Sequence, residues 1–108
     1  MTAILILNWN GWKDTIECIK SLLKLNSSEY WIVVGDNGST DNSIDEISGY
    51  LHKESIPFHK ANINGNQWLE MGKKEIILLS MGENHGFSKG NNLMIEYISK
   101  YSPCNYLL

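Results

Sequence analysis

The chain has no arginine, two cysteines and no apolar run approaching the roughly twenty residues needed to cross a bilayer. Each shortage removes a class of function. Without arginine, and with a formal charge of −3, the 108 residues lack the basic face that neutralises phosphates in a nucleic-acid complex. The nine lysines are spread along the chain rather than massed. Cys18 and Cys104 stand far apart, which predicts reduced core thiols in a cytoplasmic protein rather than a disulfide framework. The amino end, Met1-Thr2-Ala3 before Ile4-Leu5-Ile6-Leu7, has neither the basic flank nor the cleavage site of a signal peptide. Missing motifs narrow the field further. Gly82, Gly86 and Gly90 miss the dinucleotide spacing, and neither a P-loop Gly-Lys-Ser/Thr nor a G-x-S-x-G nucleophile elbow occurs. His52, His59 and His85 are irregularly spaced with no Cys-x-x-Cys, so a zinc site is not expected.

What is present is an alternation of short apolar runs and amphipathic segments. Ala3 to Leu7, Trp31 to Val34 and Ile76 to Leu79 are continuous apolar stretches, the pattern of strands buried on both faces of a parallel sheet. Between the first two, Ile16, Ile19, Leu22 and Leu23 recur at helical spacing opposite Asp14, Glu17, Lys20 and Lys24. Ser39-Thr40-Asp41-Asn42-Ser43 offers several caps for a second helix with Ile44, Ile47 and Leu51 inward. A third helix is predicted over Phe87 to Lys100, with Leu93, Met94, Tyr97 and Ile98 inward. From Lys53 to Lys74 the pattern is lost, and this stretch reads as a polar excursion with Trp68, Leu69 and Met71 as anchors. Tyr106-Leu107-Leu108 reads as the opening of a fourth strand. The implied architecture is one α/β domain, a Rossmann-like parallel sheet with flanking helices. Because the chain stops within an apolar strand, it is expected to be a piece of a longer protein, with an unfinished sheet edge prone to dimerise.

In open parallel sheets ligands sit beyond the carboxyl ends of the strands, where strand order reverses. The loops predicted there are Asn8-Trp9-Asn10, Asp36 to Asp41, and Asn84-His85-Gly86-Phe87 leading to Asn91-Asn92. All are rich in glycine and short polar side chains, the composition of backbone that approaches a polar ligand closely. The same residues also make ordinary turns and helix caps. Trp9 and Trp12 would either stack on a base or sugar or pack the first helix on the sheet.

Ile4-Leu5-Ile6-Leu7-Asn8-Trp9-Asn10-Gly11 with Cys18-Ile19-Lys20-Ser21-Leu22 resembles the start of the inverting family 2 glycosyltransferases. Asp36-Asn37-Gly38-Ser39-Thr40-Asp41-Asn42-Ser43 resembles their second-strand motif. Asn84-His85-Gly86-Phe87-Ser88-Lys89-Gly90-Asn91-Asn92 resembles their third, in its rhamnosyltransferase-like form. The likeness covers residues 3–52 and 75–108, with 53–74 expected to be an insertion. It implies the amino half of a GT-A fold. It further implies a nucleotide-diphosphate sugar donor held by Asn8, Trp9, Asn10, Asp36, Asn37, Ser39, Asn84, Gly86, Phe87, Asn91 and Asn92, with Asp36 accepting from the base or ribose. The acceptor would be a glycan or a lipid-linked saccharide of cell-surface polysaccharide synthesis, with peripheral association at the cytoplasmic membrane face. A divalent metal, Mn or Mg, would be carried by an Asp-x-Asp-like motif expected just after Leu108, the catalytic base further on. The lack of arginine fits a metal as the neutraliser of two phosphates. This piece alone is then expected to bind nucleotide without turnover. Gly35 stands where the family usually keeps a β-branched residue, and it is expected to loosen the loop that carries Asp36. Two rival readings use the same sheet. One is a non-catalytic nucleotide- or sugar-binding module, and the other a receiver-type regulatory domain, for which Asn8 and Asn10 supply no acids.

Overall fold

A computed structural model of the chain describes residues 2–25, 30–65, 76–100 and 105–107. In chain order they form β1 (Thr2–Asn8), α1 (Trp12–Leu23), β2 (Tyr30–Asp36), α2 (Ser43–Lys53), β3 (Phe58–Asn62), β4 (Ile76–Ser80), α3 (Phe87–Ser99) and β5 (Asn105–Leu107). The strands make one sheet in the order β3-β4-β2-β1-β5, with every pairing parallel. This is the α/β sheet expected from the apolar runs.

Side chains alternate between two cores, as the strand period of two requires. Ala3, Leu5, Trp31, Val33, Ile77 and Leu79 face α3, where Met94, Tyr97 and Ile98 cover them. Ile4, Ile32, Val34, Ile76 and Leu78 face the opposite side, under Ile16 and Ile19 of α1 and Ile47 and Leu51 of α2. Chain direction therefore reverses about β1: α1 leads to β2 on one side of it, and α3 leads to β5 on the other. That reversal opens a crevice at the carboxyl end of β1, the switch point of an open parallel sheet.

Three expectations change. The stretch after Lys53 is not a structureless excursion throughout, because Phe58–Asn62 is an edge strand paired with β4. Only Ala61 of its five residues is fully buried, so its sequence carries no apolar run. Trp68, Leu69 and Met71 lie outside the described residues. Cys18 is exposed on α1 rather than in a core, since it falls off the Thr15, Ile16 and Ile19 face; Cys104 lies outside the described residues. Gly35 does not loosen its loop. A Cβ there would stand 2.4 Å from the Met94 sulfur and 2.9 Å from that of Met81, so the missing side chain is the space into which α3 packs.

Candidate functional site

The register aligns the strand ends. Asn62 pairs with Ser80, Ser80 with Asp36, and Asp36 with Asn8, which sets a polar row across the carboxyl edge of the sheet. At its centre Asp36 is 3% exposed. Its Oδ1 accepts from Asn8 Nδ2 at 2.9 Å and from the Ser39 hydroxyl at 2.6 Å, and its Oδ2 from the Ser39 amide at 3.2 Å. The Asn8 amide is fully committed, because its Oδ1 also accepts from the Thr15 hydroxyl at 2.6 Å. Asp36 therefore organises its own loop rather than the end of α2. Of the residues expected to cap α2, Asn42 holds the N-cap position without a side-chain bond to the helix, and Asp41 accepts from the Ser43 amide at 2.9 Å.

A second asparagine ties in the third loop. Asn37, 2% exposed, donates through Nδ2 to Asn84 Oδ1 and the Gly86 carbonyl, and accepts at Oδ1 from the His85 amide at 3.0 Å. Its own backbone N–H bonds the Asn8 carbonyl at 2.8 Å. The neighbouring Gly38 has φ +74, and a Cβ on it would lie 2.5 Å from the Asn84 backbone nitrogen. Only glycine lets the two loops close to this distance. On the near side, Asn10 joins the first loop to the second through bonds to Ser39, Thr40 and Asp41.

The expected site residues thus separate into two groups. Asn8, Asn37, Ser39 and Asn84 spend their polar atoms on one another, on Asp36 and Thr15 and on the backbone, as the frame of the site. Trp9 and Phe87 are turned outward, 53% and 72% exposed. Trp12 packs partly into the core under α1, with the Lys13 Nζ 5.4 Å from its ring centroid, so of the two tryptophans it is the one that packs the first helix on the sheet. Gly86, at φ +78, turns the chain into α3. Asn91 is buried and Asn92 exposed on that helix, and neither side chain joins the loop network among the described residues. A cavity of about 280 Å³ borders Asp36, Ser39, Asp41 and Asn42. A larger one, about 510 Å³, lies away from Asp36 on the α3 face, beside His85, Ile63, Leu93 and Tyr97.

Two residues of this frame carry no weight in the sequence argument. Thr15 fixes the Asn8 amide from the inner face of α1, and a polar residue amid Ile16 and Ile19 was the signal for it. His85 holds Asn37 through its backbone, while its Nε2 donates to the Met81 carbonyl at 3.0 Å; no side-chain pattern marks a backbone contact.

Among the described residues no three His, Cys, Asp or Glu side chains come together as metal ligands. No helix among them is long and apolar enough to cross a membrane. No curated protein and no solved structure matches the chain. The family model described as "Glycosyl transferase family 2" matches residues 3–100, which takes in β1 through α3 and all three loops at the switch point. The chain belongs to glycosyltransferase family 2.

Proposed function

We propose that this chain is the donor-binding part of an inverting glycosyltransferase that moves a sugar from a nucleoside diphosphate to a glycan or lipid-linked acceptor, with a rhamnosyltransferase-like role in cell-surface polysaccharide synthesis. The observation that carries the reading is Asp36. An ionised carboxylate offers about four acceptor positions, and three are occupied by Asn8 and Ser39. The remaining one is on Oδ2, on a side chain that borders the smaller cavity. It suits a base N–H or a ribose hydroxyl. The exposed rings of Trp9 and Phe87 offer stacking surface for the base, while Asn8, Asn37, Ser39 and Asn84 act as the rigid surround.

A single in-line displacement inverts the anomeric carbon, with an acceptor hydroxyl attacking as the nucleoside diphosphate leaves. In that scheme the present residues bind and orient the nucleoside. The described residues do not fit a diphosphate-bound cation. Asp36, Asp41 and Asp45 border one cavity, yet no three His, Cys, Asp or Glu side chains among the described residues come together as metal ligands. Any divalent metal then falls to acids outside this set.

The test is an amide-NMR titration of the chain with UDP, dTDP and GDP, with and without manganese. Saturable shifts at Trp9, Asp36 and Phe87 are expected, and the tightest ligand identifies the base. Shifts confined to the larger cavity beside His85 would reject the assigned site.

A further inference from the structure

Asn10 is exposed, yet it makes four hydrogen bonds to residues 29 to 31 positions away in the chain. Its backbone N–H donates to the Ser39 hydroxyl at 2.9 Å and its Nδ2 to the Thr40 hydroxyl at 3.1 Å. Its Oδ1 accepts from the Thr40 and Asp41 amides at 2.8 and 3.2 Å. It also sits at φ +49, a conformation that glycine adopts freely and asparagine only at some cost. A glycine would satisfy the backbone better, so the side chain is what position 10 requires.

What the side chain secures is its neighbour. Trp9 lies between Asn8, buried and locked by Thr15 and Asp36, and Asn10, locked to the turn before α2. Both ends of the residue are anchored while Trp9 as a whole is 53% exposed. A large apolar ring facing water with a fixed backbone on each side is a preorganised surface, and preorganisation lowers the entropic cost of stacking a planar ligand on it. We propose that Asn10 is a positioning residue whose clamp on Thr40 and Asp41 holds the Trp9 indole in the pose that stacks on the nucleotide base; this rests on the donor-binding reading above.

The variant Asn10→Gly keeps the left-handed backbone and removes only the side-chain bonds. Asn10→Asp keeps an acceptor for the Thr40 and Asp41 amides. Two readouts are taken on the 108-residue chain: the ¹⁵N order parameter of the Trp9 indole N–H without ligand, and the Kd for the nucleoside diphosphate that binds most tightly. The clamp predicts that Asn10→Gly loosens the indole and weakens binding about tenfold, the scale of one base–aromatic stack. Asn10→Asp restores most of both, and Asn10→Gly adds nothing to Trp9→Ala. An indole equally ordered in Asn10→Gly overturns the proposal, as does a loosened indole with unchanged Kd. If the unmodified chain binds none of the nucleotides, the donor-binding reading itself fails and the proposal with it. That result appears before any variant is made, so the two failures are told apart.

Discussion

At the scale of single residues, the buried carboxylate of Asp36 persists because neutral donors surround it. Asn8 and Ser39 replace the water it gives up, and among the described residues no cation stands beside it. Asp36→Ala leaves the buried Asn8 amide and the half-buried Ser39 hydroxyl short of an acceptor, and should cost roughly 1–3 kcal/mol in urea unfolding. Thr15→Val, which strips the hydroxyl from the Asn8 amide, should cost about 1–3 kcal/mol by the same measurement. Tyr30 gives a pH signature. Its hydroxyl donates to the Leu22 carbonyl at 2.7 Å, and burial raises its pKa above the ordinary tyrosine value, since the phenolate would lose hydration. The folded state therefore keeps this proton more tightly than the unfolded one. Its contribution to stability is complete below about pH 10, the unfolded value, and falls as pH rises through the higher folded value. Denaturation midpoints measured from pH 8 to 11 should show this loss, and Tyr30→Phe should lack that part of it. Asp36 was legible in the sequence as an acid closing an apolar run. That Asn8 would be tied to Asp36 and Ser39, and Asn37 to the third loop, was not, because partners 28 to 49 residues apart leave no local pattern.

Among the elements, two glycines decide how closely the layers approach. Gly35→Ala drives a methyl into the sulfurs of Met94 and Met81. Those flexible side chains can yield in part, so about 1–3 kcal/mol is expected, the range for overpacking. Gly38→Ala meets backbone rather than side chain, at 2.5 Å from Glu83 and Asn84, and does so at φ +74. It should cost more than Gly35→Ala in thermal unfolding and should also shift the Asn84 and His85 amide resonances, because the third loop must move away. The helices and the central strands were readable from periodicity, since each buries a continuous face. β3 escaped because an edge strand with one buried residue has little hydrophobic pattern to show. Its pairing with β4, which is apolar throughout Ile76 to Leu79, makes it a strand.

For the whole molecule, β2 is buried along its entire length between β1 and β4, whereas among the described residues β3 has a neighbour on one side only. Native-state hydrogen exchange should therefore find Ile32, Val33 and Val34 opening only with global unfolding, and Phe58 to Asn62 opening earlier. The order β3-β4-β2-β1-β5 also explains why three loops distant in sequence meet: parallel strands put every carboxyl end on one edge, and the reversal about β1 leaves the crevice there. By itself the sequence determined the class of the fold, the helices and central strands, and the three motif loops. Those properties follow from local spacing, in which apolar residues run unbroken along strands buried on both faces or recur about every 3.6 positions along helices, with polar turns between them. Only the tertiary structure decided which residues of these loops are buried ties and which face outward. Trp9 and Asn8 are neighbours in sequence, yet one is a solvent-facing ring and the other a buried tie. The difference arises because strand register places Asn8 opposite Asp36 and within reach of Thr15, a relation between segments that no single segment contains.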